Sequence, residues 1–284
     1  MLLNYIVWNV SPTAFTIPDV VPLLGGHEIR WYGILFALAF VAGYYIMQRI
    51  FKKEGESEKL LDSIFTYMII FTVVGARLGH CLFYEPAYYL SHLVEILKIW
   101  EGGLASHGAS IGILLGLWLF SKKNKKPFLW TMDRVVIPVA LGGAFIRMGN
   151  LMNSEIFGHI TTMPWGFYFK QYYDPAFTTD PRHPTQIYEA LSYLTIFFIT
   201  IRMYLKADGH PRSGTIFGWF LILLFTVRFF IEFLKEPQVG FEEHMILNMG
   251  QLLSIPFIIA GIIILWYSKK GKFDPKPHDN KIIS

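Results

Sequence analysis

The segment Arg147-Met148-Gly149-Asn150-Leu151-Met152-Asn153-Ser154-Glu155-Ile156-Phe157-Gly158 sets an arginine, two asparagines and a glutamate where an apolar stretch ends. A guanidinium at membrane depth is costly and marks a functional site by default. Arginine also presents a planar, permanently charged fork of donors that suits phosphate. The first ligand chemistry to consider is therefore a phosphate-bearing lipid. Arg228 repeats the pattern in a second apolar stretch and Arg77 in a third. His107 adds a side chain able to accept a proton near neutral pH.

The elements that must position these groups are membrane-crossing helices. The chain is 53% hydrophobic and only 16% charged over 284 residues, with a mean hydropathy of +0.40, whereas soluble domains carry about 25% charged residues. Apolar stretches of roughly 20 residues, the length a bilayer core requires, recur near residues 32–50, 61–83, 103–120, 132–152, 185–204, 214–234 and 247–266. The expected fold class is an all-α polytopic membrane protein of about seven transmembrane helices, with a small head outside the membrane at about residues 153–184. Residues 1–268 are expected to form a single membrane-embedded catalytic domain, and residues 269–284 a cytoplasmic tail.

The charges orient these spans. Arg49, Lys52, Lys53 and Lys59, then Lys122, Lys123, Lys125 and Lys126, then Arg202, Lys206 and Arg212, and finally the lysines after residue 268 all fall on one side. By the positive-inside rule that side is cytoplasmic, which places the N-terminus outside and the C-terminus inside. The pI of 9.0 follows from this asymmetry, and no nucleic-acid partner is implied. Met1–Val10 lacks the basic region of a cleaved signal peptide. The lone Cys81 excludes an internal disulfide and a Cys-rich metal site, and it reads as a small core residue. The histidines lack metal-ligand spacing; neither a metal nor another cofactor is expected.

At a rise of about 1.5 Å per residue, Arg147, Arg228 and Arg77 each lie about 9 Å below the outer end of their span, and His107 and Glu189 about 6 Å below theirs. Tyr32 and Gln186 sit at the rim. The inner halves offer little beyond Asp133 and Arg134 at the cytoplasmic rim. This is the pattern of one outward-facing site and not of a path through the membrane. No internal repeat is evident, which argues against an inverted-repeat transporter. Taken singly, several of these residues have plainer readings. Arg147 and Arg228 fit buried structural salt bridges, and Arg77 fits a pair with Glu232 or Glu189. His107 fits a histidine at a helix end, Asn150 and Glu155 fit capping groups, and Trp31 and Tyr32 fit interfacial anchors. Their shared depth favours the site.

The order of motifs resembles the bacterial prolipoprotein diacylglyceryl transferase family. Its signature is similar to Arg147-x-x-Asn150-x-x-Asn153-x-Glu155-x-x-Gly158. Further matches are Arg30-Trp31-Tyr32-Gly33, Gly75-Ala76-Arg77-Leu78-Gly79 and Trp100-x-Gly102-Gly103-x-x-x-His107-Gly108. Arg182-His183-Pro184-Thr185-Gln186-x-Tyr188-Glu189, Arg228-x-x-x-Glu232-Phe233 and Met249-Gly250-Gln251-x-Leu253-Ser254 complete the set. Ile146, Leu151, Ala109 and Leu224 depart from residues common in the family; Leu224 stands where some members carry a tyrosine.

The resemblance implies transfer of the diacylglyceryl group of phosphatidylglycerol to the lipobox cysteine of a prolipoprotein signal peptide, releasing glycerol 1-phosphate. It implies Arg147 for headgroup binding and Arg228 for stabilising the leaving phosphate. It makes His107 the base for the thiol or, alternatively, a positioning residue. Asn150, Asn153 and Glu155 would bond the glycerol hydroxyls or hold the arginines, with Gly158, Tyr32, Arg77 and Glu232 completing the binding set. The alternatives are another phospholipid-headgroup transferase, which would share the arginines, and an organic-anion carrier, which would need access from both sides. An intramembrane protease lacks its Ser–His, paired-Asp or His-Glu-x-x-His set at plausible spacing.

Overall fold

The computed structural model describes residues 5–22, 25–99, 102, 103, 105–172, 179–236 and 245–273. Most of these lie in α-helices: α1 (Trp31–Lys53), α2 (Glu58–Phe83), the short α3 (Pro86–Ser91), α4 (Ser106–Lys123), α5 (Phe128–Met152), α6 (Thr185–Lys206), α7 (Thr215–Ile231) and α8 (Met249–Lys269). All except α3 coincide with the apolar stretches of the sequence. Among the described residues, five helical segments are long and apolar enough to cross a membrane: α1, α2, α5, α8, and α7 with its 3-10 continuation to Leu234. The protein is therefore a multi-pass membrane protein. The other two expected spans, α4 and α6, are helical but fall short on apolarity. The 18 residues of α4 include Ser106, His107, Lys122 and Lys123, and the first turns of α6 carry Gln186 and Glu189.

Contacts divide the chain into two compact units, Met47–Arg134 and the remainder, with the boundaries inside α1 and α5. The Met47–Arg134 unit is built on close backbone approach of α2 and α4. A Cβ on Gly108 would come within 2.2 Å of the Gly75 carbonyl, and one on Gly112 within 2.1 Å of the Phe71 carbonyl. Small residues at this spacing let helices pack by van der Waals contact where lipid supplies no hydrophobic drive. At its basic end Arg134 pairs with Glu54 at 3.1 Å and stacks on Trp130, and Lys126 pairs with Glu56.

In the other unit a bulged hairpin of β2 (Thr13–Thr16) and β3 (Glu28–Arg30) leads directly into α1. Strand β1 (Ile6–Trp8) pairs in parallel with β4 (Phe167–Phe169), so the expected head draws a strand from the start of the chain. Leu151, Phe157, Phe167 and Phe169 form its apolar core, against which Trp8 packs. The Trp8 indole N–H also donates to the Leu151 carbonyl at 3.0 Å, tying the head to the end of α5. Full burial of each of these side chains contributes about 1.5–3 kcal/mol. Helices α7 and α8 meet where Gly218 faces Gly261, and Phe225 stacks on Phe257 at 4.4 Å. An Asn248–Gln251 capping box starts α8. Most of the expected tail lies outside the described residues.

Candidate active site

Helix α5 ends in a turn that few residue types adopt freely. Ser154 and Ile156 take φ of 53° and 59°, in the left-handed region that a β-branched residue strongly disfavours. Such conformations cost about 1–3 kcal/mol each and persist only where their surroundings over-determine them. Here the Glu155 amide donates to the Asn150 carbonyl at 3.0 Å and the Gly158 amide to the His183 carbonyl at 2.9 Å. From the start of α6, Thr185 Oγ1 donates to the Ile156 carbonyl (2.9 Å) and Gln186 Nε2 to the Glu155 carbonyl (2.6 Å). Gly158 must be small, since a Cβ there would lie 2.2 Å from the Leu234 carbonyl.

This turn folds the Glu155 carboxylate back over α5. Its Oε1 accepts from Asn150 Nδ2 at 2.9 Å and Asn153 Nδ2 at 3.1 Å, while an Arg147 terminal N–H donates to Asn150 Oδ1 at 3.4 Å. Tyr32, in the first turn of α1, packs on Gly149 so closely that a Cβ there would stand 2.8 Å from the ring. The signature residues and Tyr32 thus form one cluster.

From Arg147 a ladder of alternating charge runs across α6, α7 and the turn that follows α7. Arg147 Nε lies 3.0 Å from Glu189 Oε2. Lys235 Nζ donates to Glu189 Oε1 at 2.9 Å and to Glu232 Oε1 at 3.0 Å. Arg228 Nε stands 3.7 Å from the same Glu232 oxygen, and Asn248 Nδ2 donates to Glu232 Oε2 at 3.2 Å. The middle of the ladder is sealed: the Glu189 and Lys235 side chains are 0% and 2% exposed. Its ends are more open, with Arg147 at 14% and Arg228 at 34%. Cations outnumber carboxylates along it, which suits an anionic ligand at the open ends.

Around the signature turn, Asn153 Oδ1, Ser154 Oγ, Gln186 Oε1 and Glu189 Oε2 are buried without a hydrogen-bond partner among the described residues. The Arg147–Glu189 contact is therefore an ion pair without an aligned N–H. An unsatisfied buried polar atom costs about 1–3 kcal/mol, and these acceptors suit the hydroxyls of a polyol. At the edge of the head, burial pushes the His183 imidazole below its ordinary pKa, and neighbouring His159 adds to the effect. His183 also contacts the Tyr188 hydroxyl, to which Trp165 Nε1 donates at 2.8 Å.

The other two residues expected at the site, Arg77 and His107, belong to the Met47–Arg134 unit. Arg77 is buried, and its fork is taken up by backbone carbonyls: Nε donates to Ile96 (3.0 Å), and the terminal nitrogens donate to Glu95 (2.6 Å), Gly102 (2.6 Å) and Gly103 (3.3 Å). Tyr89 lies under its guanidinium at 5.0 Å. His107 is exposed in the first turn of α4, which is anchored by the Ala105 amide bonding to the Ala76 carbonyl at 2.9 Å.

Lys235 escaped sequence reasoning because it reads as a loop charge after an apolar span. The available signal was spacing: Arg228, Glu232 and Lys235 at i, i+4 and i+7 share one helical face. Glu189 was visible by depth alone, without its role as the central rung.

The profile of the prolipoprotein diacylglyceryl transferase family matches residues 18–267. The phosphatidylglycerol–prolipoprotein diacylglyceryl transferase of Tolumonas auensis is 47% identical over 266 residues, covering 93% of this chain and 98% of that protein. Proteins of the same name from Porphyromonas gingivalis and Chloroherpeton thalassium are 45% and 42% identical, over 96% and 94% of this chain and 98% and 96% of their own lengths. This chain belongs to the prolipoprotein diacylglyceryl transferase family.

Proposed function

We propose that this protein transfers the diacylglyceryl group of phosphatidylglycerol to the lipobox cysteine of prolipoproteins, the first step in the maturation of bacterial lipoproteins. The peptide thiolate attacks the glyceryl carbon that bears the phosphate. The S–C bond forms as the C–O bond breaks, leaving a thioether and glycerol 1-phosphate. No covalent intermediate on the enzyme is required.

The observation that carries this reading is the charge ladder with an arginine at each open end. Arg147 binds the headgroup phosphate, and Arg228 stabilises the charge that develops on the leaving group; preorganised donors of this kind act most strongly in a site shielded from water. Glu232, fixed by Lys235 and Asn248, orients Arg228. Asn150, Asn153 and Glu155 receive the glycerol hydroxyls beside the unsatisfied acceptors of the turn. Tyr32 and Gly158 shape this cradle. A free cysteine ionises near pH 8.5, so His107 takes the thiol proton, while Arg77 holds in place the segment that precedes α4. Incubating the purified protein with phosphatidylglycerol and a lipobox peptide tests the reading directly. The peptide should gain the mass of one diacylglyceryl group, and an unchanged peptide mass would overturn it.

The proposed setting is the cytoplasmic membrane of a bacterium, with seven spans, the N-terminus outside and the site toward the outer leaflet. Basic residues concentrated on one side support this. In intact cells Asn124→Cys should resist an impermeant thiol reagent and Thr179→Cys should react; the reverse pattern would invert the orientation.

A further inference from the structure

A groove of about 660 Å³ runs between α2 and α4 at the basic end of the Met47–Arg134 unit. Its α2 wall is formed by Thr66, Tyr67, Ile70 and Phe71, and its α4 wall by Leu119, with Lys122 and Lys123 at the end. The volume lies within the range of about 300–1,000 Å³ typical of ligand sites. Tyr67 and Phe71 stack with an interplanar angle of 1°, forming a flat aromatic wall. Gly116 sets that wall against α4, because a Cβ there would meet Phe71 at 2.8 Å.

The charges at the groove's end are distinctive. Lys126 and Arg134, close by in sequence, pair with Glu56 and Glu54. Lys122 and Lys123 have no carboxylate within ion-pair distance among the described residues. Instead their ammonium groups sit over aromatic rings, Lys122 at 4.1 Å from Trp118 and Lys123 at 5.9 Å from Tyr67. The negative end of the α4 dipole favours cations here, but that effect explains neither the groove nor its apolar length. An apolar channel ending in two uncompensated cations matches a molecule with a long apolar chain and an anionic head.

We propose that this groove is a binding site for an anionic phospholipid of the leaflet on the basic side, with an acyl chain along Tyr67, Ile70, Phe71 and Leu119 and the phosphate on Lys122 and Lys123. The site is separate from the chemistry assigned to His107. Some 15 helical residues along α4, about 22 Å, separate that residue from the lysines. The inference therefore stands independently of the proposed transfer reaction, and its readout is binding alone.

Native mass spectrometry of the full chain in detergent, titrated with phosphatidic acid or with phosphatidylcholine of the same acyl chains, tests it. The wild type should retain the anionic lipid in preference to the zwitterionic one. The double substitution Lys122→Gln/Lys123→Gln should weaken that retention by roughly fivefold per lysine and leave retention of phosphatidylcholine unchanged. Ile70→Trp, at an exposed position, fills the groove and should remove the retained lipid while both lysines remain. Inorganic phosphate should not compete, since it lacks the chain. Equal retention of phosphatidic acid by wild type and both variants would overturn the proposal, as would displacement by inorganic phosphate alone.

Discussion

Arg77 and Arg147 are the same residue type at the same expected membrane depth, set in contrasting surroundings. Among the described residues the hydrogen-bond partners of Arg77 are four neutral carbonyls, over an aromatic ring. Its positive charge is dispersed over fixed dipoles, and its donors are engaged. Arg147 meets the Glu189 carboxylate at 3.0 Å, the Asn150 amide at a long 3.4 Å and the Tyr193 hydroxyl, beside buried acceptors that have no hydrogen-bond partner among the described residues. The first arrangement ties the guanidinium to a loop, and the second is the one we propose to meet the ligand. Membrane depth identifies costly charges; their partners distinguish one such charge from another.

The strongest way to break this comparison is to remove each ladder end in turn. Arg147→Ala should abolish diacylglyceryl transfer in folded protein, a fall of at least about 100-fold, the scale seen when a preorganised donor to developing charge is lost. Arg147→Lys should not restore normal turnover, because the ammonium keeps the charge but loses the planar fork. Near-normal turnover by folded Arg147→Ala would reduce Arg147 to a structural residue, as Arg77 is argued to be, and near-normal turnover by Arg147→Lys would show that charge alone suffices there.

His107 asks whether the unit that contains Arg77 contributes any chemistry. If its imidazole takes the thiol proton, His107→Gln should lose about 10²–10⁴-fold at neutral pH and recover as pH approaches about 8.5, where a cysteine thiol ionises unaided. A pH–rate profile of both proteins with the same lipid and peptide measures this. A constant ratio from roughly pH 6 to 9 would assign His107 to positioning and leave the arginine field to activate the thiol.

The helices were legible because their apolar stretches are long, and the positions of α1, α2, α5 and α8 follow from that alone. The signature turn was legible as residues but not as geometry. Left-handed Ser154 and Ile156 are imposed by Thr185 and Gln186, distant in sequence and invisible to local propensity. The head's pairing with Ile6–Trp8 was hidden for the same reason, since parallel strands can pair across any sequence separation. Lys235 was hidden by its neighbours. A lysine after an apolar span reads as a loop charge until Glu189 and Glu232 are seen on either side of it.

That lysine supplies a third prediction, on the ladder's interior. Lys235→Met leaves two buried carboxylates without their shared cation, each then facing a single arginine; breaking a buried pair outright costs about 3–5 kcal/mol, so the loss here should lie at or below that range. Thermal unfolding should shift down accordingly and transfer should fall with it. Adding Glu189→Gln to Lys235→Met removes one of the two carboxylates that lost their shared cation, so Glu189→Gln should cost less in the Lys235→Met background than in the wild type. Strictly additive losses in this cycle would mean that the two residues do not interact energetically, and the ladder would be only a geometric coincidence.

The smallest effect is expected at Arg77, where the comparison began. Arg77→Lys keeps a positive charge but cannot span carbonyls as widely separated in sequence as those of Glu95, Ile96, Gly102 and Gly103. A hydrogen bond to a charged group contributes about 1.5–3 kcal/mol, so losing part of the set should loosen the segment locally without unfolding the helices. Amide hydrogen exchange should therefore accelerate in residues 93–99, while the α2 and α4 amides, held by the close Gly75–Gly108 contact, stay protected. Transfer should fall by less than in Arg147→Lys, because no donor to the phosphate is lost. A loss as deep as that of Arg147→Lys with unchanged exchange in residues 93–99 would show that Arg77 acts on the substrate. The two arginines would then differ in surroundings but not in use.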